Sequence, residues 1–375
     1  MTGLYLHIPF CVSKCSYCDF YSLATEGKTE TDQPDFMTAL ETEVAGLPDS
    51  FRPETVFIGG GTPTELSDRD FGRLLTMIPE RVDVSGVIEW TCESNPGTLS
   101  PSKIDRMKEA GVNRVSLGVQ TFDPETLKFL GRIHNPEEAI EGYRMLREAG
   151  LSNLNLDIIY GTPGAPDDQH LRDVHQILEL GPDHTSFYCL MYEEGTTMTK
   201  LKNLGRIQPL SDERLREQHD AMRSALTENG YEQYELSNFA RPGRTCRHNL
   251  LYWNGDDYFG CGPAAHSHWQ GRRFSNVRNL TKYTHALLHG ASPVDFEETL
   301  EPEAKARETF ITNLRKVEGI ARSDFKQRTG FELDEIYHGD IERFVELGFL
   351  ETEDDRVRLS PEGHFVSDTI FADLI

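Results

Sequence analysis

The sequence predicts an α/β fold, a partial (β/α)6 barrel followed by a small α+β domain, and three observations carry that prediction. Short β-rich runs recur through the first half of the chain, at Leu4 to Ile8, Thr55 to Ile58, Val87 to Glu93, Arg114 to Gln120, Asn153 to Tyr160 and Thr185 to Met191. Stretches with helical periodicity separate them, and from about Thr299 the pattern changes to helix, helix and a short hairpin.

The helical stretches are Asp35 to Leu47, Asp68 to Ile78, Pro101 to Ala110, Pro136 to Ala149 and Asp167 to Leu180, several with Ser, Asp or Asn placed to cap the first turn. Strands separated by helices pair in parallel, and crossovers of one hand curl the sheet, so the working loops fall at the strand C-terminal ends. We divide the chain into a barrel core at 1–200, an extension at 201–298 and a C-terminal module at 299–375. The module's helices, Glu303 to Arg315, Arg322 to Thr329 and Asp334 to Leu347, and its hairpin around Asp354 and Asp355, resemble a winged helix. Its acidity favours a structural or protein-contact role over DNA.

The composition is that of a globular chain of 375 residues, long enough for more than one core. Asp and Glu number 62 against 38 Lys and Arg, a net charge of −24 that repels phosphate backbones, so nucleic acid is not an expected partner. No basic leader precedes an apolar stretch at the start of the sequence, and no apolar run is of spanning length, so a cytoplasmic location is expected. The 7 cysteines are odd in number and three of them crowd into positions 11 to 18, which argues for ligands in a reducing compartment over disulfides. Cys92 and Cys189, inside expected strands, read as packing residues.

Cys11, Cys15 and Cys18 fall on a loop directly after the first strand. Three thiolates suit a [4Fe-4S] cubane with one iron left open to an external chelator. A zinc site completed by His7 or Asp19 is the alternative, because soft thiolates also select zinc. After the second strand comes Gly59-Gly-Gly-Thr-Pro63, whose amides and Thr62 hydroxyl suit a charged ligand and which otherwise reads as a tight turn. Farther on, Cys246-Arg-His-Asn-Leu-Leu-Tyr-Trp253 places an imidazole beside flat aromatic faces, and such a histidine is either an iron ligand or a core residue.

Cys-x3-Cys-x2-Cys with Tyr17 before the last cysteine resembles the radical-SAM signature, and the surrounding YLHIPFC resembles the oxygen-independent coproporphyrinogen III oxidase family. The resemblance implies a radical-SAM barrel in which S-adenosylmethionine (SAM) chelates the open iron. It implies SAM contacts at Tyr5, Tyr17, Gly60, Gly61, Thr62, Glu93 in CESNPG, Gln120 in SLGVQTF, Arg132 in LGRIH and Asp157 in NLDIIYG. HNxxYW is similar to the motif associated with haem in the HemW-type haem chaperones, a subgroup of that family. By that resemblance His248, Asn249, Tyr252 and Trp253 bind haem, with His248 on the iron, His266 and His268 as rivals, and Arg244 or Arg247 near the propionates.

Two departures separate the chain from the oxidases. They carry a further cysteine two positions after the third ligand, where this chain has Phe20, and an arm ahead of the cluster, whereas here the first ligand is residue 11. The expected function is therefore a haem carrier that passes haem to apo-hemoproteins or cytochromes, against the alternative of SAM-dependent oxidative decarboxylation of coproporphyrinogen III. Contact with a membrane complex through a partner, and a homodimer, are left open.

Overall fold

The computed structural model describes residues 1–25 and 34–375, with the backbone alone for Pro34. Six parallel strands follow one another in the sheet, β1 (Thr2–Ile8), β2 (Thr55–Gly60), β3 (Glu89–Ser94), β4 (Arg114–Gln120), β5 (Leu154–Tyr160) and β6 (His184–Cys189). The crossovers carry α1 (Pro34–Ala45), α2 (Asp68–Arg81), α3 (Pro101–Ala110), α4 (Pro136–Glu148) and α5 (Gln169–Leu180). Caps fix where these helices begin: Ser67 and Ser100 accept from backbone amides of the first turn, and Asn135 forms a reciprocal capping box with Glu138.

The array stays open, because β1 and β6 do not pair and further strands extend both edges. Beyond β6, α6 (Asp212–Glu228) is followed by β7 (Glu232–Gln233) and β8 (Asn238–Ala240), the latter antiparallel to β6. Then α7 (Arg247–Asn254) leads to β9 (Asp257–Cys261), which pairs with β1 in parallel as a seventh strand. The strands β10 (His266–Trp269), β11 (Arg272–Asn276) and β12 (Val294–Thr299) continue that edge as an antiparallel meander, with α8 (Leu280–Leu288) packed on α1.

The main core fills the space between the sheet and its helices; Leu4, Leu6, Ile8, Val56, Ile58, Val115 and Leu156 are sealed from solvent. The strand β4 is buried at every position although its sequence alternates, because Val115, Leu117 and Val119 face the core while Arg114, Ser116, Gly118 and Gln120 line the cavity enclosed by the sheet. The C-terminal module has a core of its own around Phe310, Phe325, Tyr337 and Val357. Its first two helices and its hairpin fall where expected, but the helix expected over Asp334 to Leu347 is two, Leu333–Tyr337 and Asp340–Glu346, broken at His338 and Gly339, both of positive φ. The module adds a third strand, Ile320–Ala321, and two closing helices, Pro361–Phe365 and Ser367–Leu374. Among the described residues no helix is long and apolar enough to cross a membrane.

Candidate functional site

A cavity of about 550 Å³ opens at the C-terminal ends of the parallel strands, where a barrel of this kind exposes its loops. Cys11, Cys15 and Cys18 line it, all three are free thiols, and each is partly exposed. Their loop is pinned at its centre: the Ser16 amide and hydroxyl donate to the Leu130 carbonyl at 3.1 and 3.0 Å, and the Met198 amide donates to the Ser16 carbonyl. Tyr17 packs against Leu130, Ile159, Leu190 and Met198 while keeping a face on the cavity.

A chain of polar contacts joins two of the cysteines. Arg132 donates to Cys15 Sγ at 3.4 Å, to the Gly118 carbonyl at 2.6 Å and to Asn95 Oδ1 at 2.5 Å. Asn95 Nδ2 in turn donates to Thr62 Oγ1 at 2.6 Å, and the Thr62 hydroxyl points to Cys11 Sγ at 3.6 Å. Donors aimed at two thiols, one of them a buried guanidinium, suit sulfur that carries negative charge. Burial pushes the Cys11 thiol up and that of Cys18 up to about 11, so these groups ionise in step with metal uptake. Among the described residues no three His, Cys, Asp or Glu side chains gather round one point as ligands of a single ion do, and a cubane, whose corners are separate irons, does not ask them to. The donor set therefore fits the cluster. His7, offered as a zinc ligand, has both ring nitrogens taken, by Tyr5 Oη at 2.9 Å and the Tyr21 carbonyl at 2.8 Å.

The glycine loop is held close by its surroundings. A Cβ on Gly60, whose φ is +104°, would lie 2.5 Å from the His7 ring, and one on Gly61 would lie 2.6 Å from the Phe10 carbonyl oxygen. The Gly60 amide donates to Glu93 Oε2 at 3.0 Å. Burial and the nearby Asp157 carboxyl push Glu93 up to about 7, and burial raises Asp157 as well. Asp157 accepts from Asn155 Nδ2 at 2.7 Å and from the Ser116 hydroxyl at 3.1 Å, which holds its carboxyl toward the cavity wall. Gln120 closes β4 with φ of +72°, a left-handed backbone that a glutamine adopts only under constraint, at a register shift in the strand.

Of the residues expected around SAM, the structure brings Tyr17, Gly60, Gly61, Thr62, Glu93, Gln120, Arg132 and Asp157 to this cavity. It does not bring Tyr5, which faces Phe57 and His7 inside the sheet. Cys189, read as a packing residue, is half-buried and lines the rim. The sequence reading passed over Asn95, Ser116 and Asn155; Asn95 lies within the CESNPG motif, two residues past Glu93, and that placement was its available signal.

The haem expectation is corrected in part. HNxxYW forms α7, which lies across the strand N-terminal ends, the pole opposite the cysteines. Glu89, first in β3, accepts from the Arg247 and His248 amides at 2.9 and 3.0 Å and so caps the helix. His248 is sealed from solvent, with Nδ1 on Thr55 Oγ1 at 2.8 Å and Nε2 on Tyr252 Oη at 2.8 Å, and burial pushes it down to about 3. An imidazole with both nitrogens taken has no lone pair for iron, so it sits here as a core histidine. Tyr252 stacks edge-on with His248 and Tyr258, and Trp253 lies under the Arg315 guanidinium; neither reaches the cavity, whereas Asn249 does. Arg244 sits by Asp183 at the same far pole, His266 is exposed, and His268 is nearly buried with Nδ1 on the Asp256 carbonyl.

An open parallel barrel with three cysteines on the loop after its first strand and a glycine loop after its second defines a radical SAM protein, and the radical SAM superfamily model matches residues 5–177. The HemN C-terminal domain model matches residues 300–366. More narrowly, the chain belongs to the HemW family within that superfamily. The heme chaperone HemW of Bacillus subtilis is 32% identical over 378 residues, covering 99% of this chain and 98% of its own. Heme chaperone HemW of Escherichia coli is 35% identical over 355 residues, covering 93% and 91%. The solved coproporphyrinogen III oxidase (HemN) of E. coli, a radical SAM enzyme, superposes with a TM-score of 0.85 at 22% identity over 100% of this chain and 89% of that one, a likeness of fold. Membership of the superfamily implies a [4Fe-4S] cluster and SAM.

Proposed function

We propose that this protein is a haem chaperone: it holds a [4Fe-4S] cluster on Cys11, Cys15 and Cys18, takes SAM in the adjoining cavity, and binds haem for delivery to acceptor hemoproteins such as apo-cytochromes. The observation that carries the reading is identity of about a third to heme chaperones along nearly the whole chain, together with a cavity that gathers eight of the nine expected SAM positions. When loaded, the cluster and SAM supply one-electron reductive chemistry. The chain's part is positional. Arg132 suits the SAM carboxylate and the backbone around Gly60 and Gly61 suits close approach of its charged end, while Glu93 and Asp157 suit its ammonium and ribose hydroxyls. Phe20, at the place where the oxidases carry a cysteine, favours carrier over oxidase.

The test is a pair of assays on one anaerobic, cluster-loaded preparation. Haem titration followed by transfer to an apo-cytochrome is expected to succeed, and coproporphyrinogen III with SAM and reductant is expected to stay unconverted. Formation of protoporphyrinogen by protein that takes up no haem would overturn the proposal in favour of the oxidase.

A further inference from the structure

Most large apolar side chains on the surface are scattered, but Phe20, Ile133, Tyr188 and Met191 all line the mouth of one cavity, at 69%, 61%, 41% and 52% exposure. They come from separate loops and ends of the parallel array: Phe20 follows the cysteines, Ile133 follows Arg132, and Tyr188 and Met191 stand at the end of β6. Isolated exposed apolar residues are ordinary; a group collected round one opening marks a binding surface. The cavity beneath, about 550 Å³, is the place of the cubane and the nucleoside sulfonium in the reading above, which leaves its mouth as the surface for a further ligand.

The rim also carries positive charge in a chain of net charge −24. Lys14 lines the same cavity, its Nζ on the Phe20 carbonyl, and Arg278 reaches the Asp19 carbonyl at 2.6 Å and the Asp19 carboxylate at 3.5 Å, while Asp19 and Glu193 set two carboxylates beside these cations. A flat apolar face edged by two cations complements a haem macrocycle with its two propionates. Met191 adds an exposed thioether, a group that serves as an axial ligand to haem iron. The histidine of HNxxYW lies at the opposite pole with no free nitrogen.

We propose that haem docks flat across this mouth, its ring on Phe20, Ile133 and Tyr188, its iron on the Met191 sulfur and its propionates toward Lys14 and Arg278. The inference rests on the carrier reading and gives that reading a place. It is tested by absorbance titration of haem into the cluster-loaded, full-length protein and into Met191→Leu, Phe20→Ser/Ile133→Ser and the remote surface control Leu347→Ser, with iron, sulfide and SAM binding measured on each. Met191→Leu keeps the apolar volume and removes only the donor sulfur, so a changed Soret band at near-normal affinity is expected. The double variant is expected to weaken haem about tenfold or more while cluster and SAM binding hold, and the control to match wild type. Wild-type spectra and affinity in both rim variants would overturn the docking site and leave the carrier standing. Failure of the wild type to bind haem overturns both.

Discussion

Arg132 shows how much one side chain organises here. It touches the Cys15 thiol, a strand carbonyl at the Gly118 register shift and, through Asn95, the hydroxyl that faces Cys11. Lysine has the charge but not the planar fork, so Arg132→Lys is expected to weaken SAM binding about tenfold while iron and sulfide content hold, as read by calorimetry and metal analysis. Replacing any one of Cys11, Cys15 or Cys18 by serine is expected to abolish stable cluster loading, visible as loss of the iron-sulfur absorbance. Glu43 gives a pH prediction away from the site. Burial pushes its carboxyl up to about 7 although Tyr283 Oη, the Gly262 amide and Asn276 Nδ2 donate to it. A folded pKa raised above the unfolded one means that the native state holds a proton the unfolded chain has lost. Its contribution is therefore present at low pH and lost as pH rises from about 4.5 to about 7. Glu43→Gln should flatten that part of the stability profile by no more than about 3 kcal/mol, measured by urea unfolding at pH 5 and pH 7.5. Cys11 and Gly60 were legible in the sequence because thiolate spacing and a glycine run after a strand each imply chemistry, whereas Arg132, beyond the helix Pro124–Leu130, was reached through the family resemblance of LGRIH. Asn95, Ser116 and Asn155 were not, since an isolated amide or hydroxyl declares its partner only once neighbouring strands are in register.

Among the elements, α7 departs most from what its sequence suggests. Histidine and aromatics in one short motif read as a ligand site, yet the helix closes the base of the barrel with those groups turned on one another. The deciding partners, Thr55 and Glu89, are far away in sequence and begin strands of the parallel sheet. His248→Ala would strand the Thr55 and Tyr252 hydroxyls and open a void, so a loss of about 2–4 kcal/mol in urea unfolding is expected, with haem affinity per folded molecule retained. The β-runs and most helices of the barrel were legible because β-rich stretches with apolar residues at alternate positions recur between stretches of helical periodicity. The strand β9 was not, because DYFGC is short and mixed and earns its place by lying against β1.

At the scale of the whole molecule, two hydrophobic cores meet at α7, at the Glu235–Lys316 bridge, where Leu236 packs on the C-terminal core, and where Arg216 and His219 of α6 meet Phe365. Trp253 packs under Arg315, Lys316 donates to Asn254 at 2.8 Å, and Arg328 reaches the Asn254 carbonyl at 3.2 Å. Separately packed cores unfold in steps, so with Trp90 and Trp269 replaced by phenylalanine, Trp253 fluorescence should report a transition at lower urea than the loss of barrel circular dichroism. The overall α/β class and the separate C-terminal module followed from periodicity; the plugged base did not, since no local pattern announces which end of a barrel a later helix will cover.

That plug gives the barrel a direction of traffic. With the base stoppered by α7, the cavity fills from the cysteine side, and anything resting over that opening shuts in what arrived earlier. With haem docked across that mouth as proposed, the nucleoside would enter ahead of the pigment and leave after it, a first-in, last-out order in which bound cargo slows exchange of SAM.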